Sequence, residues 1–238
     1  MEFKIQWFDR LPSTNIFLKE RMEIESELPS GTVVATRDQT QGRGRCGRDW
    51  LSAANENLTF SILLLGNGDQ RKNPAAAMAA AVAVAELLRA EGVPADLKWP
   101  NDVLVNGKKI CGILSEGISG GIIVGIGLNV NMRCAEHIDQ PATSLLMETG
   151  ARRNIDELFE KLLPHLAARL AEWEQGGFSK VRKNWEANVP SIGKFVTVRD
   201  GDSVRSGLLA GFGEDGELLL QDEDGGVSQV WAGDLSRT

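Results

Sequence analysis

Gly42-Arg43-Gly44-Arg45-Cys46-Gly47-Arg48 is the stretch on which the fold class turns. Its glycines fit G-x-G-x-x-G, the fingerprint of a dinucleotide-binding fold. That fingerprint works only where the last glycine opens a helix whose amino-terminal end receives a pyrophosphate. Here Asp49-Trp50-Leu51-Ser52 leads instead to Asn55-Glu56-Asn57 and a continuous apolar run, Leu58 to Leu65, that reads as a buried strand. No helix follows, and no Gly-Lys-Ser/Thr makes a Walker loop. A doubly wound nucleotide fold is therefore set aside. Two readings of the loop remain. One is a solvated basic segment, including one that meets a nucleic acid backbone. The other is a lid that orders over a phosphate. Arginine supplies planar paired donors for phosphate oxygens, glycine lets backbone N–H groups approach, and ligand contacts must offset the entropy of ordering.

Upstream of this loop, Ser13 or Thr14 is placed to cap a helix running towards Glu27, Pro29-Ser30-Gly31 ends it, and Thr32 to Arg37 reads as a β-branched strand. Downstream, Asn73 and Pro74 start an alanine-rich helix that runs to Ala90 and is closed by Gly92. Strand-like segments follow at Leu97-Lys98, Val103–Val105, Lys109–Glu116 and Ile122–Val130, with turns at Asn106-Gly107 and Gly120-Gly121. This is an antiparallel meander with the two helices laid on one face, an α+β pattern rather than alternating βαβ. Ile155 to Gln175 is amphipathic, capped by Asn154 or Asp156, with a kink or break expected at Pro164. A short helix follows over Phe178–Asn188.

After Pro190 the character changes to short strands, Lys194–Arg199, Val204–Phe212, Glu217–Gln221 and Val227–Trp231. They are separated by Asp/Gly turns and imply a small β-barrel. The expected units are residues 1–188 and 190–238.

With 238 residues, 42% hydrophobic, the chain can bury a core without staples. Its net charge of -7 argues against general attraction to nucleic acid or anionic membrane, so the local basic cluster stands out. Three widely spaced cysteines and two histidines give little scope for a disulfide framework, a structural zinc site or a histidine-based triad. Met1-Glu2-Phe3-Lys4 lacks the apolar core of a signal peptide. No segment approaches the roughly 20 apolar residues of a membrane span. The expected compartment is the cytoplasm, with no membrane partner.

Two further elements carry chemistry. In Lys98-Trp99-Pro100-Asn101-Asp102, proline extends the preceding residue. A lone lysine is usually solvated surface, but one flanked by a strand and Trp-Pro can be fixed pointing into a cleft. In Gly125-Ile126-Gly127-Leu128-Asn129-Val130-Asn131 the alternating glycines mark close approach of backbone, by packing or by a ligand. Asn129 and Asn131 offer oxygens to a metal–phosphate group.

Taken in order, Ser13-Thr14-Asn15, the Gly-Arg loop, Lys98 to Asp102, Lys109-Ile110-Cys111-Gly112-Ile113-Leu114, Gly125 to Asn129 and Trp231-Ala232-Gly233-Asp234 resemble biotin protein ligases. The resemblance covers nearly the whole chain. It implies a catalytic domain of the class II synthetase-like, biotin–lipoate ligase-like kind with a mixed, largely antiparallel sheet, followed by a Src-homology-3-like barrel. It implies ATP, Mg²⁺ and biotin, a biotinyl-5′-AMP intermediate, and transfer to a lysine of the biotin carboxyl carrier protein of acetyl-CoA carboxylase. Some members carry an amino-terminal helix-turn-helix. This chain begins almost at the catalytic domain, so a ligase without DNA binding is expected, with a homodimer possible through the sheet.

The same resemblance assigns roles by position. Ser13, Thr14, Asn15 and Gln39 would hold the biotin ring system. Gly42 and Arg43 would meet the tail and phosphate, with Gly112 and Ile113 as the pocket wall. Arg45 and Arg48 would face the nucleotide, and Trp50 the adenylate. Lys98 would meet the biotin carboxylate, and Asn129 the nucleotide or Mg²⁺. Lys98, Arg43 and Arg45 are the expected catalytic cations, and Arg237 matches a terminal arginine with spacing one residue short. The family lid commonly has arginine where Cys46 stands, so one charge is missing here. No general base for the acceptor amine is evident. The rival readings are a lipoate or octanoate ligase of the same superfamily, and a non-catalytic adenylate- or RNA-binding protein.

Overall fold

The computed structural model describes residues 1–24, 28–66, 73–135, 138 and 140–237. In chain order the first elements are β1 (Lys4–Phe8), α1 (Thr14–Ile24), β2 (Thr32–Thr36), β3 (Gly42–Arg43), β4 (Asp49–Trp50), β5 (Asn57–Leu65) and α2 (Asn73–Ala90). Then come β6 (Asp96–Lys98), β7 (Asp102–Val105), β8 (Lys108–Ile118) and β9 (Gly121–Asn129), followed by α3 (Leu145–Thr149), α4 (Ile155–Gly176) and α5 (Phe178–Glu186). The last five strands are β10 (Phe195–Asp200), β11 (Ser203–Phe212), β12 (Leu218–Gln221), β13 (Val227–Val230) and β14 (Asp234–Arg237). The expected α+β class holds.

The main sheet has the order β1-β2-β5-β9-β8-β7-β6. Only the β1–β2 pair is parallel, so the sheet is mixed as expected. Its central strands are apolar without alternation because both faces are covered. The pleat shows this directly. Val33, Ile62, Leu64, Ile122 and Val124 belong to the large core under α2 and α4, whereas their neighbours Val34, Leu63 and Ile123 join Leu11, Leu18 and Leu28 in a second core around α1. The expectation that α1 and α2 share one face is therefore corrected: α1 lies on the opposite face from α2. The continuous apolar runs already demanded two covers.

α2 is buried nearly all round, from Ala75 to Leu88, between the sheet and α4, which suits its small residues. Pro164 does not break α4, which is continuous from Ile155 to Gly176. A proline removes one backbone donor, but Leu162 and Leu166 on either side are fully buried and hold the helix in register. The α4 cap is Asn154, whose side chain accepts from the backbone N–H groups of Asp156 and Glu157. The segment expected to continue α1 to Glu27 falls at 25–27, outside the described residues.

The terminal five-stranded antiparallel sheet has the order β13-β12-β11-β10-β14. Its fifth strand, β14, is too short and polar to announce itself in sequence. Its core is not separate: Val196, Val198, Leu209, Phe212, Leu218 and Leu220 belong to the same buried cluster as Trp99, Phe178 and Trp185. Trp185 and Phe178 pack edge-on to Phe212. Trp99 Nε1 donates to the Gly216 carbonyl at 3.0 Å, and Arg182 donates to that of Gly213 at 2.6 Å. The terminal sheet is thus locked beside the main one, where it closes one side of the cavity described next.

Candidate active site

A cavity of about 620 Å³ lies on the β8–β9 part of the main sheet, between the amino-terminal end of α1, the β3–β4 hairpin and the turn before β14. Eleven of the thirteen residues assigned by position line it: Ser13, Thr14, Asn15, Gln39, Arg43, Arg45, Arg48, Trp50, Gly112, Ile113 and Asn129. Gly42 and Lys98 do not.

The polar end is built by the start of α1. Ser13, Thr14, Asn15 and Gln39 are all buried. The Thr14 N–H donates to Gln39 Oε1 at 3.0 Å, and its hydroxyl approaches the same oxygen at 3.3 Å. Asn15 Nδ2 donates to Glu116 at 2.7 Å. Ser61, fully buried on β5, contacts Thr14 Oγ1 at 2.6 Å and Asn15 Oδ1 at 2.5 Å. A serine has one hydroxyl proton, so it serves only one of these oxygens at a time. The other keeps acceptor capacity for a ligand N–H. Buried polar groups are costly unless paired, and these mutual bonds hold the cluster in fixed orientations at this end of the cavity. Ser61 gave no sequence signal, sitting inside an otherwise apolar strand.

The floor is glycine. Gly112 and Gly127 face each other across β8 and β9. The Trp50 indole lies over both: a Cβ on Gly127 would come within 2.4 Å of it, and one on Gly112 within 2.8 Å. A Cβ on Gly125 would meet Asn15 Oδ1 at 2.3 Å. These strand glycines therefore admit side chains and ligand where a methyl group would exclude them. Trp50 Nε1 is buried and has no hydrogen-bond partner. Gly42 is the hinge of the hairpin rather than its wall. A Cβ there would overlap the Trp50 carbonyl at 2.4 Å and Gln39 Nε2 at 2.6 Å, so it fixes the loop by having no side chain.

The cation on the floor is Lys109, not Lys98. Lys98 sits on the edge strand β6, opposite Asp102, two strands away from β8. The cavity does not reach it, and its neighbours Leu97 and Trp99 are buried in the core. Lys109 reaches the site through a register shift: Val103 pairs with Cys111 but Leu104 pairs with Lys109, so Ile110 is an extra residue in β8. Such a bulge turns the following side chains to the other face. Without it Lys109 and Gly112 would point opposite ways. With it, the Lys109 ammonium comes within 3.1 Å of where a Gly112 Cβ would be. Lys109 Nζ is 2.7 Å from Asp102 Oδ1, both side chains being largely buried, and 5.7 Å from the Trp50 ring centre. Asp102 lines the cavity too. Cys111 beside it is inert, since burial pushes its thiol far above the ordinary range.

The roof is the arginine hairpin. β3 and β4 pair Gly42 with Trp50 and Arg43 with Asp49, and a tight turn spans Arg45–Gly47. Cys46 adopts φ 55°, the left-handed region, and is exposed. Arg45 donates to Asn101 Oδ1 and to the Gly233 carbonyl, both at 3.3 Å, and Arg48 pairs with Asp234 at 2.9 Å. Asn101 is itself pinned to β8 by Nδ2 donating to the Ile113 carbonyl. Asn129 Nδ2 donates to the Thr143 carbonyl at 3.0 Å, which leaves its oxygen as the group it can offer a ligand. The Arg237 side chain lies outside the described residues. Among the described residues, no group of three His, Cys, Asp or Glu side chains could hold a metal ion.

The arrangement is a single cavity with chemically distinct parts. It has a neutral hydrogen-bonding end, an apolar glycine and isoleucine middle, and a cationic mouth. That shape fits a ligand with a polar ring, an aliphatic tail and a terminal anion, next to a phosphate-bearing partner.

Comparison with known proteins agrees. Residues 7–132 match the model of the biotin/lipoate A/B protein ligase family. The biotin–[acetyl-CoA-carboxylase] ligase of Paracoccus denitrificans is 31% identical, over 89% of this chain and 92% of its own. The bifunctional ligase/repressor BirA of Bacillus subtilis is 32% identical, over 88% of this chain and 67% of its own. The structure of the Aquifex aeolicus biotin protein ligase in complex with biotin and ATP superposes with a TM-score of 0.85 at 32% identity, covering 98% of this chain and 99% of that one.

Proposed function

The chain belongs to the biotin/lipoate A/B protein ligase family, and from that membership we propose how its slot works as the active site of a biotin protein ligase. The activity is ATP-dependent ligation of biotin to a carrier protein. The observation that carries this reading is the cavity itself, which is lined together by a buried hydrogen-bonding cluster, strand glycines, the arginine hairpin and Lys109. The buried pairings of Ser13, Thr14, Asn15 and Gln39 take the ring system. The strands around Gly112 and Ile113 take the tail. Lys109 meets the carboxylate, held in place by Asp102. Arg43, Arg45 and Arg48 face the nucleotide phosphates, and Trp50 the adenine.

In the first step a carboxylate oxygen of biotin attacks the α-phosphorus of ATP, and the bond to pyrophosphate breaks. The chain does no covalent chemistry here. It holds two mutually repelling anions in reach and neutralises charge that builds at phosphorus. Mg²⁺ would be held through the Asn129 amide oxygen together with the phosphates and would offset their charge; among the described residues no group of three His, Cys, Asp or Glu side chains offers it a cage. The adenylate is a mixed anhydride, and the roof keeps water from it. In the second step the acceptor lysine's amine attacks the acyl carbon and AMP leaves. The partner is a biotin carboxyl carrier protein, which adds a strand to an edge of the main sheet, where β1 and β6 are the outer strands. The same edges offer a second copy of the chain a route to a homodimer. The reaction is assigned to the cytoplasm; no helix among the described residues is long and apolar enough to cross a membrane.

The test is ATP-dependent transfer of labelled biotin to a purified carrier domain, run beside labelled lipoate. Transfer of biotin alone is expected. Transfer of lipoate alone, or of neither, would overturn the assignment.

A further inference from the structure

We propose that Asp234, in the terminal sheet, is a positioning residue that presets the arginine roof for the nucleotide. This rests on reading Arg45 and Arg48 as phosphate clamps. The roof has little to hold it by itself. Its two strands pair at only two positions, and the tip adds Gly44 N–H to Arg48 O at 2.6 Å and Arg48 N–H to Arg45 O at 3.2 Å. A hairpin that short is not stable alone.

Besides the Arg45 bond to Asn101 and the Trp50 indole on β8 and β9, what fixes it comes from the far end of the chain. Asp234 Oδ1 lies 2.9 Å from Arg48 and 3.7 Å from Arg45, while the preceding carbonyl, Gly233, accepts from Arg45 at 3.3 Å and 3.4 Å. The turn that presents this pair is itself rigid. Gly233 has φ 132°, and a Cβ there would meet Val198 at 2.6 Å and the Arg199 carbonyl at 2.9 Å. The last turn of the terminal sheet is thus wedged against β10 and aims a carboxylate and a carbonyl at two guanidinium groups. Asp234 lines the same cavity. Its contacts order both arginines before any nucleotide arrives. ATP then meets donors already aligned and does not have to offset the entropy of folding the loop. Apparent affinity falls with the fraction of protein in the competent form, so loosening the roof weakens ATP binding first. The Arg48–Asp234 pair is half exposed, 49% and 50%, so the effect is modest.

The test uses the full chain with Asp234→Ala, Asp234→Asn and Asp234→Glu. Trypsin cleavage at Arg43 to Arg48 in the unliganded protein should speed up about fivefold in Asp234→Ala, the scale of an exposed ion pair. In biotin-dependent ATP–pyrophosphate exchange, KM for ATP should rise by a similar factor, with kcat at saturating ATP and KM for biotin unchanged. Asp234→Glu should restore both readouts, and Asp234→Asn should fall between. An unchanged or lowered KM for ATP, a loss confined to kcat, or equal losses for ATP and biotin overturns the proposal. Should Asp234→Ala not fold, Asp234→Asn is read by the same criteria. Absence of exchange in the unmodified protein strikes the ligase assignment instead, while the trypsin comparison still judges the Asp234 contact.

Discussion

At the residue scale, glycine and lysine define the slot. Gly127 is the sharpest case, because a methyl group there would overlap the Trp50 indole at 2.4 Å. If Trp50 faces adenine as proposed, Gly127→Ala should displace the indole and weaken nucleotide binding. The expected loss is about tenfold in ATP affinity by titration calorimetry, with the fold retained. Unchanged ATP affinity would show that Trp50 is not part of the nucleotide site. The alternating glycines were legible in the sequence as points of close approach, because glycine weakens a buried strand and often marks a site where another group comes near the backbone. Lys109 was not. A lysine's direction depends on strand parity, and one extra residue, Ile110, inverts that parity without leaving a mark in composition. Lys98, beside Trp99 and Pro100, looked better anchored, yet it stands on an outer strand.

At the element scale, pattern decided most of the outcome and tertiary partners decided the rest. The antiparallel order of β6 to β9 followed from turns at Asn106-Gly107 and Gly120-Gly121, and α2 from its alanines. The placement of α1 on the opposite face was implicit in strands with no polar side, but the number of helices per face was not written locally. Ion pairs then tie the helical layer. Glu91, just past α2, accepts from Arg153 at 2.9 Å and from Lys161 on α4 at 2.7 Å. These bonds, that from Lys161 foremost, hold its carboxyl below the usual range. A depressed carboxyl pKa means the unfolded chain binds the extra proton. Stability from this group is therefore present above about pH 4.5 and is lost as pH falls through the folded value. Glu91→Gln should be less stable than the parent at neutral pH, and the gap should close on acidification. Parallel pH–stability curves from urea unfolding would count against this linkage.

At the scale of the whole molecule, the change of pattern after Pro190 announced short antiparallel strands, and the structure has a five-stranded antiparallel sheet there. Sequence could not show that the two units share a core, because Trp99 meets Gly216 only in three dimensions. With Val196, Phe212 and Trp185 in one buried cluster, calorimetry should show a single cooperative unfolding transition. Two resolved transitions would mean that residues 190–238 melt independently. The sharing matters for the chemistry, since the cavity wall is completed by Asp234 from the terminal sheet.

The central claim is that Lys109 and the arginine roof bring biotin and ATP together on a glycine floor. Biotin-dependent ATP–pyrophosphate exchange tests it most directly, comparing Lys109→Ala with Lys98→Ala. Lys109→Ala should slow exchange by about a hundredfold or more, the scale of removing one charge-stabilising donor, while Lys98→Ala stays within about threefold, as befits a half-buried edge-strand position outside the cavity. Full exchange in Lys109→Ala, or collapse only in Lys98→Ala, would contradict the account.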